Sequence, residues 1–171
     1  MPDQATQAQS ADIASELAAI VGAEHVLSDD ESRRFYSTDV FRQADVLAAA
    51  VVRPATVEEL QQVVRYCAAH NFPVIARGGG ASYTDGYLAI KDNSICVDSS
   101  RLTRIDIHEE DMYVTAEAGV SWAALNEALQ ARGLRTPFWG PFSGLAATVG
   151  GSMSSYAVNF GSGLYGLSLI H

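Results

Sequence analysis

The 171-residue sequence contains one lysine and two cysteines, and no apolar run approaches the roughly 20 residues of a membrane span. Its 11 basic residues are outnumbered by 20 acidic ones, so it lacks the positive surplus with which proteins bind a nucleic acid backbone. Seven acidic residues precede Ser32 without any Lys or Arg, which leaves the rest of the chain nearly neutral at −2, with 13 acidic and 11 basic residues. We therefore expect no nucleic acid partner and no transmembrane segment. With 48% hydrophobic residues, the chain has the apolar content of a folded domain with its own core rather than of a disordered chain.

The two cysteines predict a reducing environment. Cys67 falls on the apolar face of a predicted helix and Cys96 lies in an apolar run, so buried free thiols are favoured over a disulfide. The N-terminus has neither the basic start nor the apolar stretch of a signal peptide, and we expect a cytoplasmic protein. The spacing of His25, His70 and His108 does not suit a metal, and none is expected.

The N-terminal half is predicted to contain short helices followed by an α/β unit. Residues 1–10 are predicted as a polar tail, with a helix that opens at residue 10 or 12 and ends at Gly22, and a second helix over residues 28–37. An apolar run at 47–52 predicts a buried strand.

A helix and two more strands follow. Thr56 and Glu59 form a capping box that predicts a helix with an apolar stripe at Val57, Leu60, Val63, Val64 and Cys67. Further strands are predicted over 72–76 and 94–97, and the strand–helix–strand order is typical of an α/β unit.

The C-terminal half is predicted to contain a hairpin and one helix. Residues 104–108 and 112–117 alternate around a polar turn, which is typical of a β-hairpin. Ser121 begins a helix that ends at Gly133. Between Gly140 and Gly166, seven of 27 residues are glycine, and the sequence does not assign a regular element there.

The first glycine-rich loop, Arg77–Tyr83, follows a predicted strand. Its three successive glycines allow positive φ and leave no Cβ in the way. Successive backbone N–H groups can then converge on a phosphate or pyrophosphate without lysines, with Arg77 as the single positive charge at the mouth of the loop. The loop lacks the Gly-Lys-Ser/Thr ending of a P-loop and the GxGxxG spacing that opens a helix. A tight structural turn is the alternative.

A second loop, Pro137–Gly144, leads into residues 146–151. Aromatic residues, glycines and small hydroxyl side chains alternate there, as suits a flat aromatic ligand that the backbone approaches closely. The alternative is an ordinary loop whose aromatic residues pack in the core.

Several segments, taken in order, resemble the FAD-binding domain of the vanillyl-alcohol oxidase / para-cresol methylhydroxylase family of flavoproteins. They are Arg53–Glu59, the loop RGGGAS, Glu117–Val120 before a helix ending in Gly133-Leu134, Ala147–Gly151 and Gly161–Gly166. The resemblance covers residues 33–166. The first loop looks most like the D-lactate dehydrogenase and glycolate oxidase branch, which generally holds FAD noncovalently.

This resemblance implies an α+β fold in which FAD lies between two subdomains. Residues 1–44 would form an acidic tail and short helices, 45–102 the first subdomain with the pyrophosphate loop, and 103–171 a second subdomain that is incomplete at its C-terminal end. The substrate (cap) domain of the family would be absent. Leu167–His171 read like a translated sequencing adaptor, so we expect the natural sequence to depart from this one after Gly166.

The resemblance also implies the residues that bind the cofactor. The expected contacts are Arg77, Gly78, Gly79, Gly80, Ala81, Ser82 and Tyr83 at the pyrophosphate, and Gly119, Pro141, Ser143, Gly144, Thr148, Gly150, Gly151, Ser154 and Ser155 along the rest of FAD. Members similar to berberine bridge enzyme tether flavin to a His and a Cys, and the matching positions here are Ala81 and Ala146. We therefore expect noncovalent FAD. No catalytic residue is identified, since the family's substrate-facing groups lie largely on the cap.

The implied function is the FAD-binding portion of an oxidoreductase that transfers hydride from an alcohol or a 2-hydroxy acid to flavin. Its partners would be a small-molecule substrate and an electron acceptor, either oxygen or another redox partner, and a homo-oligomer is left open. This stretch alone is expected to be inactive. The alternatives are a sugar-nucleotide reductase that uses NADPH, a non-catalytic FAD-binding module completed by another chain, and an α/β domain whose glycine loops are only turns.

Overall fold

A computed structural model describes residues 4–137, 139–141, 144–155, 161 and 164. The chain divides into two compact units, Met1–Arg101 and Leu102–His171. Residues 167–171, the expected adaptor segment, lie outside the described residues, and of the motif at 161–166 only Gly161 and Leu164 are described.

The first unit is built around a sheet with the strand order β1-β2-β4-β3. Its elements are α1 (Gln4–Val21), a 3-10 turn (Ala23–His25), β1 (Val26–Leu27), α2 (Asp30–Tyr36), β2 (Ala50–Val52), α3 (Val57–Ala69), β3 (Val74–Arg77) and β4 (Ile95–Asp98). Strand β1 pairs antiparallel with β2, whereas β2, β4 and β3 are parallel. The predicted α/β unit is therefore present, but β4 lies between its two strands.

Helix α1 begins earlier than predicted. It includes Gln4 to Gln9, which the sequence analysis assigned to a polar tail. The Gln and Ala residues of this segment are good helix formers, which explains how the helix extends past the last apolar residue of its stripe. Ile13, Leu17 and Val21 are buried against the sheet core at intervals of one helical turn, and Gly22 follows the helix with a φ of 90°.

Helix α3 begins at the predicted cap. The Thr56 hydroxyl accepts a hydrogen bond from the Glu59 N–H at 3.1 Å, and the Glu59 carboxylate accepts one from the Ala55 N–H at 2.7 Å instead of returning to Thr56. Val63 and Cys67 are fully buried. Val57 and Val64, which were predicted on the same stripe, are 49% and 43% exposed and lie at its margins.

The two thiols are free and buried, as predicted. Cys96 lies on β4, and burial raises its pKa to about 12, while the nearby Arg77 lowers it and Asp98 raises it further. Burial also raises the pKa of Cys67 to about 11. Both groups are therefore protonated and unreactive at neutral pH.

The second unit contains the predicted hairpin and helix. Its elements are β5 (Ile105–His108), β6 (Tyr113–Ala116), α4 (Trp122–Gln130) and α5 (Val149–Ser154). Strands β5 and β6 are antiparallel, with Ile105 opposite Ala116. The Ser121 hydroxyl caps α4 by accepting from the Ala124 N–H, and Gly133, at a φ of 70°, follows its end.

Helix α5 was not predicted. The Thr148 hydroxyl accepts a hydrogen bond from the Gly151 N–H at 3.2 Å and so begins the helix, although two of its six residues are glycine. Among the described residues, no helix combines the length and the hydrophobicity of a membrane span. The same residues contain no cluster of His, Cys, Asp and Glu side chains suited to a metal ion.

Candidate functional site

The glycine loop leaves the sheet at the end of β3. The Arg77 carbonyl still accepts a hydrogen bond from the Ser99 N–H at 3.0 Å, which anchors the start of the loop to the chain that follows β4. Beyond that point, none of the N–H groups of residues 78–83 donates a hydrogen bond to another described residue. Six consecutive donors are thus available to a ligand.

Gly80 requires the absence of a side chain. Its φ is 66°, and a Cβ at this position would clash with the guanidinium of Arg77. The loop therefore folds back over the side chain of the residue that ends the strand. This close approach explains why position 80 is a glycine, the residue without a Cβ atom.

Arg77 is buried beneath the loop rather than open at its mouth, where the sequence analysis expected it. Its side chain is only 7% exposed. The guanidinium carbon lies 5.0 Å from the ring centre of Phe35, 4.6 Å from that of Tyr36 and 5.1 Å from that of Tyr87. Such cation–π contacts hold a positive charge in an apolar setting, and the Arg77 Nε has no hydrogen-bond partner among the described residues. A positive charge therefore lies against the glycine loop at Gly80.

Two backbone carbonyls of the loop are fixed from the inner side. The Tyr87 hydroxyl donates to the Gly80 carbonyl at 2.8 Å and lies 3.3 Å from the Ser82 carbonyl. The Ser82 carbonyl also accepts from the Val40 N–H at 3.1 Å. These bonds tie the loop to the segments on both sides of it.

A buried acid completes the surroundings of Arg77. Asp98 is 3% exposed and accepts hydrogen bonds from the Tyr36 hydroxyl at 2.7 Å and from the N–H and hydroxyl of Ser100. Burial, followed by the hydrogen bond and the negative charge of Asp98, raises the pKa of Tyr36 to about 12. The phenol therefore stays a donor at neutral pH.

The remaining predicted loop residues lie at the surface of the first unit. Gly79 and Tyr83 are exposed, and Tyr83 has 62% of its surface accessible. Gly78, Ala81 and Ser82 are half-buried, and the Ser82 hydroxyl bonds to that of Thr84 at 2.9 Å. Residues 78–83 thus form one surface loop, and Arg77 lies buried at the end of β3 beneath it.

In the second unit, the predicted residues cluster around the starts of α4 and α5. The Gly119 N–H donates to the Leu102 carbonyl at 2.9 Å, and the Gly150 N–H donates to the Ala118 carbonyl at 3.1 Å. A Cβ on Gly150 would lie 2.6 Å from that of Ala118, so only glycine permits this approach. Ser121 and Thr148, which cap the two helices, form an isolated antiparallel bridge.

The aromatic loop packs on Trp122. Gly140 lies against its indole ring, where a Cβ would clash, and Gly144 adopts a φ of 74° beside Trp122 and Trp139. The Gly144 N–H donates to the Pro141 carbonyl at 3.3 Å. Gly140 and Gly144 thus pack closely on Trp122, while Phe138 and Phe142, the phenylalanines of this loop, lie outside the described residues.

Ser154 and Ser155, the last two predicted cofactor contacts, lie at the C-terminal end of α5. The Ser154 hydroxyl donates to the Gly150 carbonyl at 2.9 Å, and the Ser155 N–H donates to the Gly151 carbonyl at 3.0 Å. Ser154 and Ser155 are exposed, and Ser143 lies outside the described residues. A groove of about 520 Å³ opens in this unit, with a mostly apolar lining of Val114, Thr115, Ala116, Ala118, Trp122, Leu125, Thr136, Val149, Gly150 and Met153.

Sequence reasoning missed the residues that shape the first loop from below. Phe35, Tyr36 and Tyr87 lie in α2 and after the loop, and no motif connects them to Arg77. The available signal was an arginine between a strand and three glycines, in a chain with few cations.

Comparison with known proteins extends this description. A family model described as an FAD-binding domain matches residues 48–169. The FAD-linked oxidoreductase YgcU of Escherichia coli is 31% identical over 163 residues, which are 90% of this chain and 34% of that protein. The mitochondrial D-lactate dehydrogenase (cytochrome) of Arabidopsis thaliana is 29% identical over 147 residues, which are 81% of this chain and 25% of that protein.

A third relative is the glycolate oxidase subunit GlcD of Bacillus subtilis, 24% identical over 143 residues, or 84% of this chain and 30% of that subunit. The chain thus spans between a quarter and about a third of the length of these relatives.

Solved structures share the fold. Alkyldihydroxyacetonephosphate synthase superposes with a TM-score of 0.82 at 18% identity, over 91% of this chain and 31% of that one. p-Cresol methylhydroxylase superposes with a TM-score of 0.74 at 22% identity, over 91% of this chain and 30% of that one. The predicted α+β fold of the vanillyl-alcohol oxidase / para-cresol methylhydroxylase type is therefore confirmed. Together with the family model, which covers most of the sequence, this shows that the chain belongs to the FAD-binding domain family of these flavoproteins, with FAD as its cofactor.

Proposed function

We propose that this chain is the FAD-binding portion of an oxidoreductase that oxidises an alcohol or a 2-hydroxy acid. In this proposal, the loop Gly78–Tyr83 holds the pyrophosphate of FAD through its backbone. The six N–H groups that find no partner among the described residues carry the proposal. A pyrophosphate offers several anionic oxygens, each of which accepts such donors, and the buried Arg77 adds a favourable charge from below.

The loop fits an anion better than a neutral group. Backbone donors in a nest bind negative charge without a side chain, as a chain with a single lysine requires. Glycine at position 80 also leaves room for the Arg77 guanidinium against the loop backbone, which brings a positive charge close to the proposed anion site. A purely structural turn would leave these N–H groups to water, but it gives no reason for three successive glycines above a buried cation.

The second unit is proposed to contact other parts of the same cofactor. The residues concerned are Gly119, Pro141, Ser143, Gly144, Thr148, Gly150, Gly151, Ser154 and Ser155. Their support is the close backbone packing around Ala118 and Gly150 and the exposed hydroxyl of Ser154. Small residues and bare backbone suit the edge of a flat ring system.

The proposed substrate class follows from the relatives. Those named above include a D-lactate dehydrogenase and a glycolate oxidase subunit, whose names refer to 2-hydroxy acids. When bound, FAD supplies a two-electron acceptor for hydride from the substrate carbon. The residues of this chain bind and orient the cofactor, and no catalytic residue is assigned to it. An electron acceptor, oxygen or another redox partner, belongs to the proposal.

We further propose that FAD is held noncovalently. The positions that match the tethering residues of related flavoproteins are Ala81 and Ala146, whose methyl groups cannot bond to flavin. A cytoplasmic location is also proposed, supported by the free, buried thiols of Cys67 and Cys96. Several relatives are named as mitochondrial, so cell fractionation of the natural host decides this point.

The test is a visible absorption spectrum of the chain after incubation with FAD and removal of free cofactor. Flavin bands that remain with folded protein, and that stay in solution after acid precipitation, support noncovalent binding. Bands in the acid pellet contradict the noncovalent proposal, and folded protein without flavin contradicts the function.

A charged variant tests the location of the site. Ala81→Asp places a carboxylate among the proposed pyrophosphate donors and is expected to lower retained flavin by at least about tenfold, because like charges repel at short range. Ala19→Asp, at an exposed alanine of α1, makes the same chemical change away from all proposed cofactor contacts and should retain flavin. Equal retention by both variants contradicts the assignment of the loop.

A further inference from the structure

The Tyr87 hydroxyl forms a hydrogen bond with one peptide group of the glycine loop. It is 7% exposed, and its hydroxyl donates to the Gly80 carbonyl at 2.8 Å. Among the described residues, no other group donates to that carbonyl. The neighbouring Ser82 carbonyl differs, because it also accepts from the Val40 N–H.

The orientation of a carbonyl fixes the orientation of the next N–H. In a trans peptide, the C=O of one residue and the N–H of the following residue point in opposite directions. With the Gly80 carbonyl held against Tyr87, the Ala81 N–H points away from the Tyr87 hydroxyl, and it has no acceptor among the described residues. A flip of this peptide would present a carbonyl oxygen to an anion in place of a donor.

Rotation of this peptide plane changes ψ of Gly80 and φ of Ala81. Gly80 has no Cβ and already has positive φ, so it does not restrict the rotation on its side. Among the described residues, the Tyr87 hydroxyl is the group that restrains the Gly80 carbonyl. Burial raises the pKa of Tyr87, although the nearby charge of Arg77 lowers it, so the hydroxyl remains protonated and able to donate at neutral pH.

We propose that Tyr87 is a positioning residue of the pyrophosphate loop, whose hydroxyl holds the Gly80–Ala81 peptide so that the Ala81 N–H faces the cofactor. The inference rests on the proposed function of the loop and deepens it. Tyr87 acts through this peptide and does not itself contact the ligand. Its ring also contacts the Arg77 guanidinium, so the test must separate the hydroxyl from the ring.

Tyr87→Phe makes this separation, since it keeps the ring and removes the hydroxyl. In the ¹⁵N-labelled chain without FAD, the order parameter of the Ala81 N–H is expected to fall from about 0.85 toward 0.6 or below. The Tyr83 N–H should keep its value, because the Val40 N–H still holds the Ser82 carbonyl. The dissociation constant for FAD, measured by fluorescence titration, should rise by about tenfold through the loss of one oriented donor to a charged group.

Two matched variants control for general effects. Tyr66→Phe removes the hydroxyl of a half-buried tyrosine from α3, outside the glycine loop, and should leave the Ala81 amide and FAD affinity unchanged. Tyr113→Phe removes an exposed hydroxyl in the other unit and should change neither. The proposal is overturned if Tyr87→Phe leaves the Ala81 order parameter unchanged, or if Tyr66→Phe loosens Ala81 and weakens FAD as much. Failure of the unmodified chain to bind FAD would instead refute the proposed function, while the relaxation data would still decide whether Tyr87 fixes this peptide.

Discussion

The packing of the glycine loop over Arg77 predicts that Gly80→Ala is strongly destabilising. Alanine at a φ of 66° costs about 1–2 kcal/mol in the left-handed region. The new Cβ would also clash with the Arg77 guanidinium, which must then leave its position among three aromatic rings. The loss of these cation–π contacts adds about 0.5–2 kcal/mol. The free energy of unfolding should therefore fall by about 1.5–4 kcal/mol.

Two other glycines separate these contributions. Gly133 has nearly the same φ, 70°, but open space where its Cβ would lie, so Gly133→Ala should cost only the conformational part, about 1–2 kcal/mol. Gly86 has ordinary backbone angles and an uncrowded Cβ position, and Gly86→Ala should change stability by less than about 0.5 kcal/mol.

The assay is urea denaturation followed by circular dichroism. With a denaturant slope of about 2 kcal/mol per M, Gly80→Ala should lower the midpoint by about 1–2 M. In an Arg77→Ala background, the cost of Gly80→Ala should fall to that of Gly133→Ala, because the clashing group is gone. Equal losses for Gly80→Ala and Gly133→Ala in the unmodified background would refute the packing of Arg77 beneath the loop.

Three further changes test the first unit. Thr56→Ala removes the cap of α3 and should cost about 1 kcal/mol in a urea titration, whereas Thr56→Ser should retain most of the stability. Leu17→Ala empties a fully buried position of α1 and should cost about 3 kcal/mol; a loss below about 1 kcal/mol would mean that this helix does not pack on the sheet. Burial raises the pKa of Asp39, but N–H donors from Arg42, Asp85 and Phe41 outweigh this effect and hold it below its ordinary value of 3.8. The stability that Asp39 contributes is therefore present at neutral pH and is lost as pH falls below the ordinary pKa of 3.8 and through the lower pKa of the folded chain. Asp39→Asn should flatten the decline in urea midpoint between about pH 5 and pH 2, and an unchanged decline would contradict this role.

The elements that were predicted correctly are those whose signals lie within a few residues. The caps of α3 and α4 are set by Thr56 and Ser121, each of which accepts from an N–H three positions later. The hairpin of β5 and β6 follows from alternation around one turn. The residues that determine these elements lie close together in the sequence, so the elements can be identified without knowledge of the tertiary structure.

The features that the sequence did not reveal depend on contacts between distant segments. Helix α5 contains glycines that disfavour a helix, but Gly150 is required by its close approach to Ala118. Tyr36 meets Asp98 across 62 positions of the chain. The glycine loop itself was identifiable from composition, whereas the burial of Arg77 beneath it and the hydrogen bond from Tyr87 depend on tertiary packing.

The central claim is that the backbone of Gly78–Tyr83 binds the pyrophosphate of FAD. The most direct measurement is a titration of the ¹⁵N-labelled chain with FAD and, separately, with riboflavin, which lacks phosphate. We expect FAD to shift the amide resonances of these six residues, whose N–H groups gain charged acceptors, and riboflavin to leave them in place. Binding of FAD without any change at these amides, or equal changes with riboflavin, would contradict the claim.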